Sequence, residues 1–198
     1  MSTLWEKAAH LIRQKKYGDL LRNSMKFAVL HVVNIRWYVS GRSKMFNTMK
    51  NDSRFQVSDA LLHNLLNGCP VKKYELSRIR LCDIKRQWHN QIMSLNETAT
   101  YAYIINGDEE RYCSYVRTVN EDSGVKDTHI LADIVEKDLA RIPNTIASIT
   151  SEGYDIRRGA VVIDDHDIIL DGIHRSCILW KKYGPKHEIP VLRIYYSS

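Results

Sequence analysis

The run Asp171-Gly172-Ile173-His174-Arg175 has the composition of an anion site. It follows the apolar stretch Ile168-Ile169-Leu170 and precedes an amphipathic one, so it falls where a strand hands over to a helix. A helix N-terminus leaves backbone N–H groups unpaired, and its dipole adds partial positive charge. Gly172 lets a ligand approach the backbone and allows dihedrals that other residues avoid. Arg175 falls in the first turn, where a cation meets the positive end of its own helix; a bound anion would turn that repulsion into attraction. A phosphate would take backbone N–H bonds, the Arg175 fork and a bond from His174. The candidate phosphate-binding residues are Gly172, Ile173, His174, Arg175 and Ser176. The plainer alternative pairs Arg175 with Asp171, or with a carboxylate of the 164–167 turn, and makes His174 a surface cap.

Phosphoryl transfer at such a site needs a carboxylate as base or orienting group, and usually Mg²⁺. Asp171, adjacent to the motif, is the first candidate; its alternative role is to cap the helix. Asp164, Asp165 and Asp167 have metal-ligand chemistry, but clustered Asp in a hairpin turn reads first as turn chemistry. No metal ligands are assigned. Asp127 and His129 can reach a site or cap the helix that follows. Trp88 and His89 can stack on a base or a sugar, or anchor a loop. Tyr101, Tyr103, Tyr112 and Tyr115 can line a carbohydrate site or pack an edge.

The positioning elements are read from periodicity and turn chemistry. Ala160 to Ile163 is a buried strand, residues 164–167 a turn and Ile168 to Leu170 the returning strand. A helix runs from about His174 to Tyr183, closed by Gly184-Pro185, and Ile189 to Tyr196 is a last strand. Upstream, Ile130 to Ile149 repeats at helical spacing with Asp127 or Thr128 as cap and Gly153 as stop. Pro143 should divide that segment into two helices. Residues 96–119 contain the turn signal Asn106-Gly107-Asp108 but leave helix and strand undecided. Tyr74 to Ile84 suggests a strand opening the main domain near Val71. Val57 to Leu66 is a short helix stopped by Gly68 and Pro70, and residues 40–56 read as a polar linker.

The strand-turn-strand-Gly-x-His-Arg-helix-Gly-strand order, ILDGIHRSCILWKKYG with EIPVLRI, resembles the core motif of the ParB/sulfiredoxin superfamily. The resemblance covers residues 138–196 well and 71–85 weakly. It implies an α+β fold, a small mixed sheet with helices, in a domain over 71–198. It also implies nucleotide phosphate at Gly172, His174 and Arg175. Small-molecule kinases of that superfamily place a carboxylate near the end of the first core strand, which makes Asp83 the second catalytic candidate. Sulfiredoxins carry a catalytic cysteine where this chain has Ile173, which argues against sulfinic-acid repair; Cys177 reads as a packed small residue. Segregation ParB proteins have a second arginine where this chain has His174, and a helix-turn-helix domain afterwards, which argues against sequence-specific DNA binding. The DGxHR form also resembles ParB-like proteins associated with surface-polysaccharide gene sets. The leading expectation is therefore an ATP- or ADP-binding, Mg²⁺-dependent kinase acting on a small hydroxylated acceptor such as a carbohydrate. The alternative is a non-enzymatic nucleotide or nucleic-acid binding module.

Composition sets the outer limits. Of 198 residues 44% are hydrophobic and 26% charged, which excludes a disordered chain. Residues 1–50 hold ten Lys/Arg against two Asp/Glu, whereas the rest of the chain holds 19 against 21. The net charge of +6 is thus an N-terminal property. Residues 1–70 read as a helical basic extension, with Trp5, Ala8, Ala9 and Ile12 on one face and a second apolar run from Met25 to Val39. That run is interrupted by Lys26, His31, Asn34 and Arg36, so it packs against the domain, lies on an anionic membrane surface through residues 1–40, or docks a partner. Cys69, Cys82, Cys113 and Cys177 show no CxxC spacing, and no signal peptide is evident, which points to a cytoplasmic protein with reduced thiols.

Overall fold

The computed structural model describes residues 42–67 and 71–196. The expected helices within residues 1–40 and the stop signals Gly68 and Pro70 lie outside these residues. The chain divides into two compact units, Met1–Asn47 and Thr48–Ser198, and the second carries the sheet and the candidate site. It takes in residues 48–67, which the sequence had grouped with the basic extension.

The elements in chain order are α1 (Arg42–Lys50), α2 (Asp59–Asn67), β1 (Val71–Arg80), β2 (Lys85–Trp88), β3 (Gln91–Ser94), α3 (Ala99–Asn106) and α4 (Glu109–Asp122). They are followed by α5 (Thr128–Glu152), β4 (Val162–Asp164), β5 (Ile169–Asp171), α6 (Ile173–Tyr183) and β6 (Glu188–Tyr196). The fold is α+β. A mixed four-stranded sheet has the order β1-β6-β4-β5, and β2-β3 form a separate hairpin. β6 pairs antiparallel with β1 and parallel with β4, and β5 returns antiparallel on β4.

Two elements differ from expectation. Residues 40–56 were read as a linker, yet they contain α1, and Met49 and Phe55 are buried. Phe55 packs edge-on against Tyr74, whose hydroxyl donates to Asp52. The few apolar side chains in that polar stretch supply the burial that average composition conceals. Pro143 does not divide the long helix: α5 runs through it without interruption. The buried residues Leu131, Val135, Ile142 and Ile149 keep one apolar stripe in register on both sides. Their combined burial outweighs the cost of about 3 kcal/mol that an interior proline imposes.

The undecided segment 96–119 is helical. Thr98 caps α3, accepting from the Tyr101 N–H, and Gly107 ends it in the left-handed region at φ 75°. Asp108 then caps α4 by accepting from the Arg111 N–H. Asp127 caps α5, as expected, and Gly153 ends it. The core lies between the sheet and the helices that bear on α6. Leu81, Ile84, Leu95, Val161, Ile163, Leu179 and Val191 are fully buried in it, and α6 packs against α3 and α5. Cys177 belongs to this core, and burial pushes its thiol up to about 12. Among the described residues no helix is long and apolar enough to cross a membrane.

Candidate anion-binding site

The β4–β5 turn is built by Asp164, whose carboxylate accepts from the His166 and Ile168 N–H groups. Asp167 takes a positive φ of 66° and accepts from Arg193. These aspartates therefore spend their oxygens on the turn and on the β6 cation.

β5 delivers Asp171 to the start of α6. Gly172 is the N-cap residue, at φ 88°, and no side chain caps this helix end. A Cβ there would lie 3.0 Å from the Val161 Cα and 3.1 Å from the Ala160 carbonyl, so only glycine fits. Asp171 is not the cap. Its Oδ1 accepts from the Gly172 N–H, and its Oδ2 accepts from the Ser58 hydroxyl at 2.6 Å. Arg175 approaches Asp171 at 3.8 Å but donates more closely to the Ala160 carbonyl, at 2.7 Å. Its guanidinium lies against Gly159, where a Cβ would be 3.0 Å from Nη1. Ser176 is fully buried and donates to the Gly172 carbonyl, which turns its hydroxyl away from any ligand.

Gly172, Ile173, His174 and Arg175 line a cavity of about 260 Å³ together with Asp171, and with Arg86 and Arg141. Arg86 comes from β2, where it donates to the Ile169 carbonyl and the Tyr115 hydroxyl. Three arginines and one carboxylate thus face the same space as an uncapped helix N-terminus. The buried Nε atoms of Arg86 and Arg175 have no partner among the described residues. A second cavity of about 290 Å³ shares Arg141, Thr145 and Arg175 and adds Asn144 and Ser148 of α5.

His174 has a different environment from either sequence reading. The Tyr112 hydroxyl donates to Asp138 Oδ2 at 2.5 Å and lies 2.6 Å from His174 Nε2. Since that hydroxyl has one proton, His174 Nε2 carries the hydrogen of the second bond, a tautomer assigned from the network. Nδ1 then faces Arg141 Nη2 at 3.5 Å, and Arg141 also pairs with Asp138. Burial lowers the His174 pKa to about 4, with Arg141 and Arg175 acting in the same direction and Asp138 opposing. The same burial, with the Asp138 carboxylate, raises Tyr112 and keeps it protonated. The ring is neutral at pH 7 and locked to α4 and α5.

Asp83 is not brought to this cavity. It sits in the short turn after β1, where Arg80 donates to it at 2.7 Å. Asp127 is occupied in capping α5, where the His129 and Ile130 N–H groups donate to it. Among the described residues no three His, Cys, Asp or Glu side chains group as metal ligands.

Sequence reasoning missed Arg86, Asp138 and Arg141, and it named Tyr112 without its bonds to Asp138 and His174. The spacing of Asp138 and Arg141 marks an i,i+3 pair on a helix, but nothing local ties either to residue 174. Comparison with family models, curated proteins and solved structures finds no match.

Proposed function

We propose that this chain is a nucleotide-phosphate-binding protein of the ParB/sulfiredoxin type, transferring a phosphoryl group from ATP to a small hydroxylated acceptor such as a sugar. The observation that carries the reading is the convergence of Arg86, Arg141 and Arg175 with the α6 N-terminus on one cavity. Charge-assisted, forked bonds from arginine are the usual protein answer to phosphate. The order hairpin, glycine, helix, Gly184, strand supports the family reading, because it repeats the arrangement the resemblance implies.

Each residue has a part in this reading. Arg175 is positioned before a ligand arrives, by the Ala160 carbonyl on one side and Gly159 on the other. Neutral His174 adds no charge, and its bond to Tyr112 fixes the first turn of α6. Asp171 lies on the cavity wall and is the carboxylate suited to orient an acceptor hydroxyl or a phosphate-bound Mg²⁺; Asp83 takes no part. ATP supplies the transferable phosphoryl group. The hydroxyl and amide face of Thr145, Ser148 and Asn144, in the adjoining cavity, suits a polyhydroxylated acceptor.

The test is calorimetric titration with ATP, ADP and CTP, with and without Mg²⁺, on the parent protein, Arg175→Ala and Arg141→Gln. Binding should disappear in the first variant and weaken in the second, with both still folded by circular dichroism. Unchanged affinity in the folded variants, or no nucleotide binding at all, rejects the assignment. Binding without transfer to any sugar would leave a non-enzymatic binding module.

A further inference from the structure

The arginine cavity has an aromatic neighbour. A separate pocket of about 270 Å³ is lined by Trp88, Met93, Ala99 and Tyr115, and it shares Arg86 and Ile173 with the arginine cavity. It adds what its neighbour lacks, two aromatic rings and a thioether, beside Thr98, Ser114 and Thr118 and the charged Glu97 and Arg111. Trp88 is fixed from two sides. The His89 ring stacks on it at 4.6 Å, and the Tyr115 ring meets it edge-on at 5.2 Å. His89 is itself held by Asp122, and its left-handed φ of 52° belongs to the two-residue β2–β3 turn.

Resting on the phosphate reading above, we propose that this pocket receives the heteroaromatic base of the nucleotide whose phosphates occupy the arginine cavity. Arg86 is the hinge of the argument. Its guanidinium lines both spaces, and its bonds to Tyr115 and the Ile169 carbonyl hold it between them. A ligand that is planar and apolar at one end and multiply anionic at the other matches the two walls in the order they are met. An inorganic polyphosphate would fill only one pocket, and an apolar ligand without charge would fill only the other. Flat rings gain from aromatic walls whatever their identity, so the pocket selects for a base over none more strongly than among bases.

The experiment compares ATP with inorganic triphosphate on the full chain by calorimetry, using the parent protein, Trp88→Ala and Trp88→Phe. ATP should bind the parent protein about tenfold or more tightly than triphosphate. Trp88→Ala should remove that advantage while leaving triphosphate affinity unchanged, which also serves as the check on folding. Trp88→Phe should restore most of the advantage. Tryptophan fluorescence should respond to ATP and not to triphosphate. Equal affinities for the two ligands, unaltered by Trp88→Ala, overturn the base pocket and leave the phosphate site standing. Loss of both ligands in Trp88→Ala, with Trp88→Phe showing no selective recovery of ATP, also overturns it. Failure of either ligand to bind the parent protein overturns the phosphate reading and this one with it.

Discussion

Acidification should destabilise this protein through one residue. His174 has a folded-state pKa of about 4, against an ordinary value near 6.5. Between those values the unfolded chain binds a proton that the folded one refuses, so stability is complete above about pH 6.5 and falls as pH drops toward 4. At pH 5 the difference amounts to about 2 kcal/mol relative to pH 7. The physical cause is that an imidazolium would be buried, beside Arg141 and Arg175, with Asp138 and Asp171 opposing too weakly to offset the burial. The assay is urea unfolding at pH 7 and pH 5 of the parent protein and His174→Gln, an uncharged side chain able to keep a bond to Tyr112. The variant should lose about 2 kcal/mol less than the parent over that interval. Other histidines contribute equally to both proteins and cancel in the difference. Identical losses, or an NMR titration placing the His174 midpoint near 6.5, would refute the account of a buried neutral ring.

Further outcomes follow from packing. Gly172→Ala and Gly107→Ala both place alanine at positive φ, 88° and 75°, but only the first adds a Cβ against backbone. Gly107→Ala should cost about 1 kcal/mol and Gly172→Ala about 3 kcal/mol in urea unfolding; equal costs would show that β4 and α6 are not closely apposed. In the native protein Cys82, which is exposed, should react with a thiol reagent at pH 8 while Cys177 does not. Mass spectrometry of the labelled protein reads this directly, and rapid labelling of Cys177 would mean that α6 opens readily.

How much was readable in advance depended on how local the causes were. The β4-turn-β5-Gly172-α6 run was legible because each of its instructions lies within four residues of its effect: Asp164 to its turn, Gly172 to the helix start, Gly184 to the helix end. Residues 96–119 were not, because tyrosine favours strands on average while here Tyr101, Tyr103, Tyr112 and Tyr115 lie on two helices that pack on one another. Pro143 misled because a local penalty was weighed without the tertiary burial that opposes it. The site divides in the same way. Gly172 and Arg175 announce themselves in the motif, whereas Arg86, Tyr112 and Asp138 arrive from other elements and have no sequence mark of their partnership. Ser176 follows the motif in sequence but turns inward, since consecutive residues of a helix point in directions about 100° apart.

The position of β6 governs when the sheet can exist. It lies between β1 and β4, and among the described strands of the sheet it is the last to leave the ribosome. Until residues 188–196 have emerged, β1 lacks its neighbour among the described strands, and the β4–β5 hairpin presents an open edge. The helices form from local contacts, whereas β1 must wait for a partner over a hundred residues downstream. A chain stalled before residue 188 therefore carries the whole Asp171–Arg175 run without the sheet that shapes it, and with a bare β4 edge open to pairing with another nascent chain.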